Sequence, residues 1–254
     1  MKKQLLYVAN WKMNMLVDQA VDFTVACKEF VEQNKDLAGA IAICPTFLHI
    51  APVVEILEDS PIGVGAQNCS EHESGAYTGD VSALALSDIF CDYCIVGHSE
   101  RRTHHNESNE VVARKVAQLL ANMIFPIICI GETAEEHDLQ QTQEILESQL
   151  LPIIEVLNNA EQLPGVLTIA YEPVWAIGTG KTPDSASLEK TFKWLTNYLQ
   201  TQVNEKIEFC LLYGGSVDEK TAPQLAQVKG LGGFLIGNAS LDFQKFKNIV
   251  GLTH

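Results

Sequence analysis

Eight short apolar runs, each followed by a stretch of helical periodicity, constrain this chain more than any other feature. The strand-like runs lie at 5–9, 39–44, 62–67, 91–96, 124–130, 166–171, 207–212 and 232–237. Helical patterns follow them at 17–33, 46–59, 80–88, 105–122, 138–158, 185–203, 218–228 and 241–248. Runs that are continuously apolar, without alternation, suit strands buried on both faces, the habit of parallel sheets covered by helices. No Pro/Gly/Ser-rich linker and no low-complexity tract divides the series. The pattern predicts an α/β fold in a single domain over 1–254. A closed (β/α)8 barrel is the simplest architecture and an open doubly wound sheet the alternative. At 254 residues the chain can bury one large core.

The net charge of −15 argues against nucleic acid and anionic membranes as partners. An anionic substrate would therefore need its positive field from local groups. Met1-Lys2-Lys3 is a basic start, but the apolar stretch behind it ends at Asn10-Trp11-Lys12. That is too short for a signal peptide, and no run approaches the ~18 apolar residues of a membrane-spanning helix. The seven cysteines point to a reducing compartment, and the expected location is the cytoplasm. Cys44, Cys129 and Cys210 fall in strand-like runs, where a thiol packs as a small hydrophobe. Cys91 and Cys94 make a lone Cys-x-x-Cys whose members face opposite sides of a strand, so no metal or redox role is expected of them.

In a barrel, catalytic groups gather where strands end and helices begin. Those junctions hold Asn10-Trp11-Lys12 after the first strand, Gly97-His98-Ser99-Glu100-Arg101-Arg102 after the fourth and Glu172 after the sixth. Gly214-Gly215-Ser216 follows the seventh and Gly237-Asn238 the eighth. A cation, an imidazole, a carboxylate and two glycine-rich turns thus converge on one face. Glu172 begins Glu172-Pro173-Val174-Trp175-Ala176-Ile177-Gly178-Thr179-Gly180-Lys181-Thr182, which reads as a base followed by a lid with a stiff start and a flexible tip. Turns after strands seven and eight fit the usual phosphate position of such barrels.

Taken singly, each residue has an ordinary structural reading. Lys12 could be a solvated charge, His98 a structural hydrogen-bonder, Glu172 a loop carboxylate and Ser216 an N-cap. Other conspicuous residues lean structural even in context. Glu100 is expected near Lys12, and Arg101 and Arg102 are expected to pair with acids. His104-His105 should open the fourth helical pattern on a solvated face. Cys129 is expected to pack beside the site, and Trp194 to lie in the core.

Taken together, five segments resemble the triosephosphate isomerase family, in order and one per junction. They are Asn10-Trp11-Lys12-Met13-Asn14, Gly97 to Arg102, Glu172 to Thr182, Tyr213-Gly214-Gly215-Ser216-Val217, and Leu235-Ile236-Gly237-Asn238-Ala239-Ser240-Leu241. The resemblance implies interconversion of dihydroxyacetone phosphate and D-glyceraldehyde 3-phosphate through an enediolate, in glycolysis and gluconeogenesis. The family is itself the standard example of a carboxylate base paired with a neutral imidazole, so those roles come with the resemblance. It makes Glu172 the base, His98 the electrophile that moves protons between the two oxygens, and Lys12 the charge for phosphate and enediolate. Asn10 would hold the oxygen edge, and the N–H groups of Gly178, Ser216, Gly237 and Asn238 would take the phosphate. No cofactor and no metal is implied, because Lys12 and His98 cover the electrophilic roles.

The resemblance also implies a homodimer. Residues 67–80 are long for a βα loop and resemble the family's protruding third loop, which would bring Thr78 near Asn10 and Lys12 of the partner subunit. Two positions depart from the common pattern. Asn238 stands where a second Gly is frequent, and Asn tolerates left-handed backbone. Pro183 stands where Ala is common, and its fixed φ would stiffen the far hinge of the lid. Two other readings stand beside this one. Another phosphate-binding barrel enzyme would want a late Schiff-base lysine or a strand-end His/Asp cluster, and neither is evident. An inactive scaffold on this fold would usually have lost Lys12, His98 or Glu172.

Overall fold

The computed structural model describes residues 4–180, 182–204 and 207–254. The basic start Met1-Lys2-Lys3 and Lys181 of the lid segment lie outside the described residues. Eight parallel strands close on themselves in chain order. They are β1 (Leu6–Asn10), β2 (Ile41–Cys44), β3 (Gly63–Ala66), β4 (Tyr93–Val96), β5 (Phe125–Ile130), β6 (Val166–Tyr171), β7 (Glu208–Tyr213) and β8 (Gly233–Ile236). Closure excludes the open sheet, since β8 pairs with β1 and sets Phe234 opposite Tyr7. Around the barrel run α1 (Val17–Gln33), α2 (Phe47–Leu57), α3 (Ala83–Asp88), α4 (Ser99–His105), α5 (Asn109–Ala121), α6 (Ala134–Asp138), α7 (Thr142–Asn159), α8 (Ser185–Gln202), α9 (Ala222–Leu225) and α10 (Phe243–Thr253).

Successive strand side chains point to opposite faces, so each strand serves two cores. Val8, Ala42, Ile95, Ile127, Ala170, Leu212 and Leu235 fill the barrel. Their neighbours Tyr7, Ile41, Val96, Ile128, Ile169, Leu211 and Phe234 face the helices. Both faces are dry, which is why the strands read as unbroken apolar runs. Each fully buried Leu, Ile or Val side chain contributes about 1.5–3 kcal/mol. Cys44, Cys129 and Cys210 pack in the inner core, and all seven cysteines are buried thiols. Burial pushes the Cys27 and Cys91 thiols up to about 12. Trp194 is only partly buried, stacked on Tyr198 at 5.1 Å against the core instead of inside it.

Several helix boundaries differ from the periodicity, each for a local reason. The pattern at 105–122 is preceded by a separate α4, which ends where Asn106 turns left-handed, and α5 restarts where Ser108 Oγ accepts the Val111 N–H. His104 and His105 therefore close a helix and do not open one. Before α7, Thr133 and Glu136 form a reciprocal capping box that starts α6, and Gln140 at φ 61° breaks the chain again. The pattern at 218–228 yields only α9, because Asp218 Oδ1 takes the N–H groups of Lys220 and Thr221 into a turn of its own. The last helix runs on to Thr253. Among the described residues no helix is long and apolar enough to cross a membrane.

Candidate active site

The carboxyl ends of the strands surround a cleft of about 430 Å³ lined by Asn10, Lys12, His98, Glu172, Gly178, Ser216, Gly237 and Asn238. Every residue expected to act on or bind substrate therefore lines one concavity. A larger groove of about 810 Å³ between α5 and α7 holds none of them.

Glu172 follows directly on β6, and its N–H is held by the Ile130 carbonyl at 2.7 Å. The side chain is 2% exposed. Oε2 accepts the Ser99 N–H at 3.1 Å, while Oε1 lies 3.1 Å from His98 Nε2 without making a hydrogen bond. Two glycines make room for it. A Cβ on Gly214 would stand 2.8 Å from Glu172 Cγ, and one on Gly131 would overlap the Glu172 carbonyl. Cys129 also faces this carboxylate; burial, then the Glu172 charge, hold its thiol well above the usual range. A thiol so raised is a packing group and not a nucleophile.

His98 is the N-cap of α4, and its Nδ1 accepts the Glu100 N–H at 3.2 Å. A ring nitrogen that accepts carries no proton, so this geometry selects the neutral tautomer with the proton on Nε2. Helix α4, which starts directly after His98, is the element that sets this orientation. Nε2 is the ring nitrogen that stands beside Glu172.

Lys12 sits at φ 52°, a left-handed conformation costing a residue with a side chain roughly 1–2 kcal/mol. Its N–H donates to Asn10 Oδ1 at 3.1 Å, and Gln67 Nε2 donates to the carbonyls of Lys12 and Cys44 at 2.9 Å each. Asn10 thus shapes the turn as well as lining the cleft. The Lys12 stem passes Gly237, where a Cβ would come within 3.2 Å of Cε, and its ammonium reaches Glu100 Oε1 at 2.5 Å. Burial pushes the Glu100 carboxyl up, but the hydrogen bond and charge of the Lys12 ammonium outweigh it and leave it below the usual range.

Arg101 pairs with Glu107, which also binds Lys115 at 2.5 Å. Arg102 departs from expectation. It turns inward to the carbonyls of Gly97 (2.8 Å) and Cys129 (3.3 Å) and to Asn109 Oδ1 (2.7 Å), tying the ends of β4 and β5 together. The carbonyl ends of those strands supply acceptors that no sequence pattern displays.

The segment expected to act as a lid starts with Pro173 and a short 3-10 turn, Val174–Ala176. Trp175 Nε1 and Tyr171 Oη both donate to the fully buried Glu132 Oε1 at 3.0 Å. This anchor at the near hinge had no signal in the sequence beyond an acid after β5. At the tip, Gly178 and Gly180 take φ 68° and 72° with open space around them, so positive φ is what they supply here. Ser216 Oγ donates to the Ala176 carbonyl at 2.6 Å and accepts the Gly180 N–H at 3.2 Å, linking the segment after Glu172 to the turn after β7. Asn238 opens a 3-10 turn, Asn238–Leu241, and lies outside the positive-φ region, so its tolerance of left-handed backbone is not used. Ser240 braces that turn through the carbonyls of Ile236 and Gly237.

The triosephosphate isomerase family matches this chain over residues 5–253. Among similar proteins, the triosephosphate isomerase of Magnetococcus marinus is 37% identical over 254 residues, covering 99% of each chain. That of Delftia acidovorans is 40% identical over 250 residues, 98% of each chain. That of Coxiella burnetii is 39% identical over 250 residues, 98% of this chain and 97% of the relative.

Proposed function

The chain belongs to the triosephosphate isomerase family and interconverts dihydroxyacetone phosphate and D-glyceraldehyde 3-phosphate, and we propose how its own residues divide that work. Glu172 removes the proton α to the carbonyl and returns it to the neighbouring carbon. His98 Nε2–H donates to the carbonyl oxygen as negative charge develops there, then moves protons between the two oxygens. A neutral imidazole matches the weak acidity of an enediol better than an imidazolium does. Lys12 supplies positive charge, while Asn10 holds the oxygen edge. One such positioned donor is worth about 2.7–4 kcal/mol of barrier. The N–H groups of Gly178, Ser216, Gly237 and Asn238 take the phosphate.

The observation that carries this reading is the pairing of a nearly fully buried carboxylate with an imidazole whose Nδ1 is occupied as an acceptor. Turnover of D-glyceraldehyde 3-phosphate in D2O tests it. A base that holds the proton while the enediolate lives exchanges it with solvent, so the ketone product should carry deuterium at C1. Product that keeps the substrate hydrogen undiluted would point to hydride transfer and overturn the assignment.

The protein works as a homodimer built on the 67–80 loop and resides in the cytoplasm. The loop has no helix or strand yet is internally braced: Ser70 Oγ donates to Asp80 Oδ2 at 2.7 Å, and His72 stacks on Tyr77 at 3.8 Å. It exposes Tyr77, and Met13 beside the catalytic lysine is 92% exposed. Apolar groups held in water by a rigid loop favour docking of a second copy. The buried thiols suit a reducing compartment.

A further inference from the structure

We propose that Lys245 is a specificity-determining cation at the rim of the cleft, drawing in the phosphate dianion of the substrate. The inference rests on the isomerase reading and extends it to a residue outside the five junction motifs.

Lys12 and Lys245 are the two Lys or Arg residues among the described lining of the cleft. Their situations differ. Lys12 spends its charge on Glu100 at 2.5 Å, whereas exposed Lys245 makes no ion pair among the described residues. Lys245 stands on the first turn of α10, where Asp242 Oδ1 accepts the N–H groups of Gln244 (2.9 Å) and Lys245 (3.2 Å). The capping carboxylate thereby occupies those helix-terminal donors and offsets the positive end of the helix dipole. What remains positive at this rim is the side chain of Lys245.

The same side of the cleft carries Asp218 and Glu219. Hydrogen bonds from Thr221 and Lys220 outweigh slight burial and hold the Asp218 carboxyl below its usual range, so it is anionic at neutral pH. Glu219 accepts from Asn248 Nδ2 at 2.5 Å. Without Lys245, the charged side chains lining that side of the cleft would be Asp218 and Glu219, both acids, on a chain whose net charge is −15. Triosephosphate isomerases are a standing example of enzymes at the diffusional ceiling, where attraction during approach feeds directly into kcat/KM.

The test measures kcat/KM against ionic strength for wild type, K245A, K245R and K245E, with D-glyceraldehyde 3-phosphate and with uncharged glyceraldehyde. One charge acting on a dianion roughly 10 Å away in water predicts a loss of about three- to fivefold for K245A at low salt. The gap should close as the Debye length shrinks toward a few ångströms. K245E should fall further and K245R should recover. The loss should sit in kcat/KM, with kcat moving less than about twofold, and should be absent with glyceraldehyde. A K245A protein equal to wild type at low salt would overturn the proposal. So would a deficit that is indifferent to salt, or equal for both substrates, since either marks a structural effect. Wild type that isomerises neither substrate would overturn the isomerase reading itself, and it would show before any variant is compared.

Discussion

Glu172 and His98 meet at the mouth of the barrel with Oε1 3.1 Å from Nε2, each held from behind by a backbone N–H of α4. Ser99 N–H fixes the carboxylate and Glu100 N–H fixes the imidazole, so one turn of helix orients both. Glu172 follows β6 and His98 follows β4, and the start of α4 between them sets their mutual angle.

His98→Gln should therefore cost about 10²–10⁴-fold in kcat, the usual worth of a positioned proton donor, with a smaller effect on KM. Steady-state kinetics in both directions measure it. A variant within tenfold of wild type would remove His98 from the chemistry.

The segment proposed as a lid carries a prediction about products as well as rate. An enediolate phosphate exposed to water expels phosphate by β-elimination, so closure must exclude water while the intermediate lives. Deleting Ile177 to Gly180 should lower isomerisation and raise the share of methylglyoxal and inorganic phosphate per turnover. Pro183→Ala should leave that partition alone and change mainly the opening rate. Slower turnover with no added phosphate release would show that the segment is not a water-excluding lid.

In the proposed homodimer the 67–80 loop docks the second copy and completes the site around Lys12, so shortening it should give monomers with little activity. Sedimentation run beside the assay decides the matter. A fully active monomer would break the link between assembly and catalysis.

Glu107 gives the fold an acid-sensitive brace. Burial raises its carboxyl, but Lys115 and Arg101 outweigh that and leave it below the usual range. A carboxyl lowered in the folded state stabilises above its unfolded pKa, near 4.3, and that contribution is lost as pH falls through the folded value. Glu107→Ala leaves the Lys115 ammonium, itself 4% exposed, without its carboxylate, at a cost of about 3–5 kcal/mol at pH 7. Urea midpoints against pH should show the wild-type advantage shrinking below pH 4.3. A constant difference down to strongly acid pH would mean that the charge is not what stabilises.

The convergence of Lys12, His98 and Glu172 on one cleft was legible because barrel sites gather at strand ends, and each of the three falls within two residues of one. What escaped were groups reaching across the chain to backbone carbonyls. Gln67 crosses to Lys12 and Cys44, and Arg102 prefers the carbonyls of Gly97 and Cys129 to any carboxylate. Carbonyls are everywhere in a sequence, so no spacing marks the ones left over at the end of a strand. The helix breaks were partly legible, since Ser108 two residues after Asn106 is an N-cap behind a residue that tolerates left-handed backbone. The space that Gly131 and Gly214 leave for Glu172 depends on strands five to seven being side by side, which only closure supplies.

The most direct measurement is the kcat of Glu172→Gln beside that of Lys12→Ala, with inorganic phosphate binding followed in both. The amide keeps the shape of the carboxylate but cannot take a proton. Glu172→Gln should lose roughly three or more decades of kcat while still folding and binding phosphate, whereas Lys12→Ala should weaken binding as well. Near-wild-type turnover by the Gln variant would contradict the account at its centre.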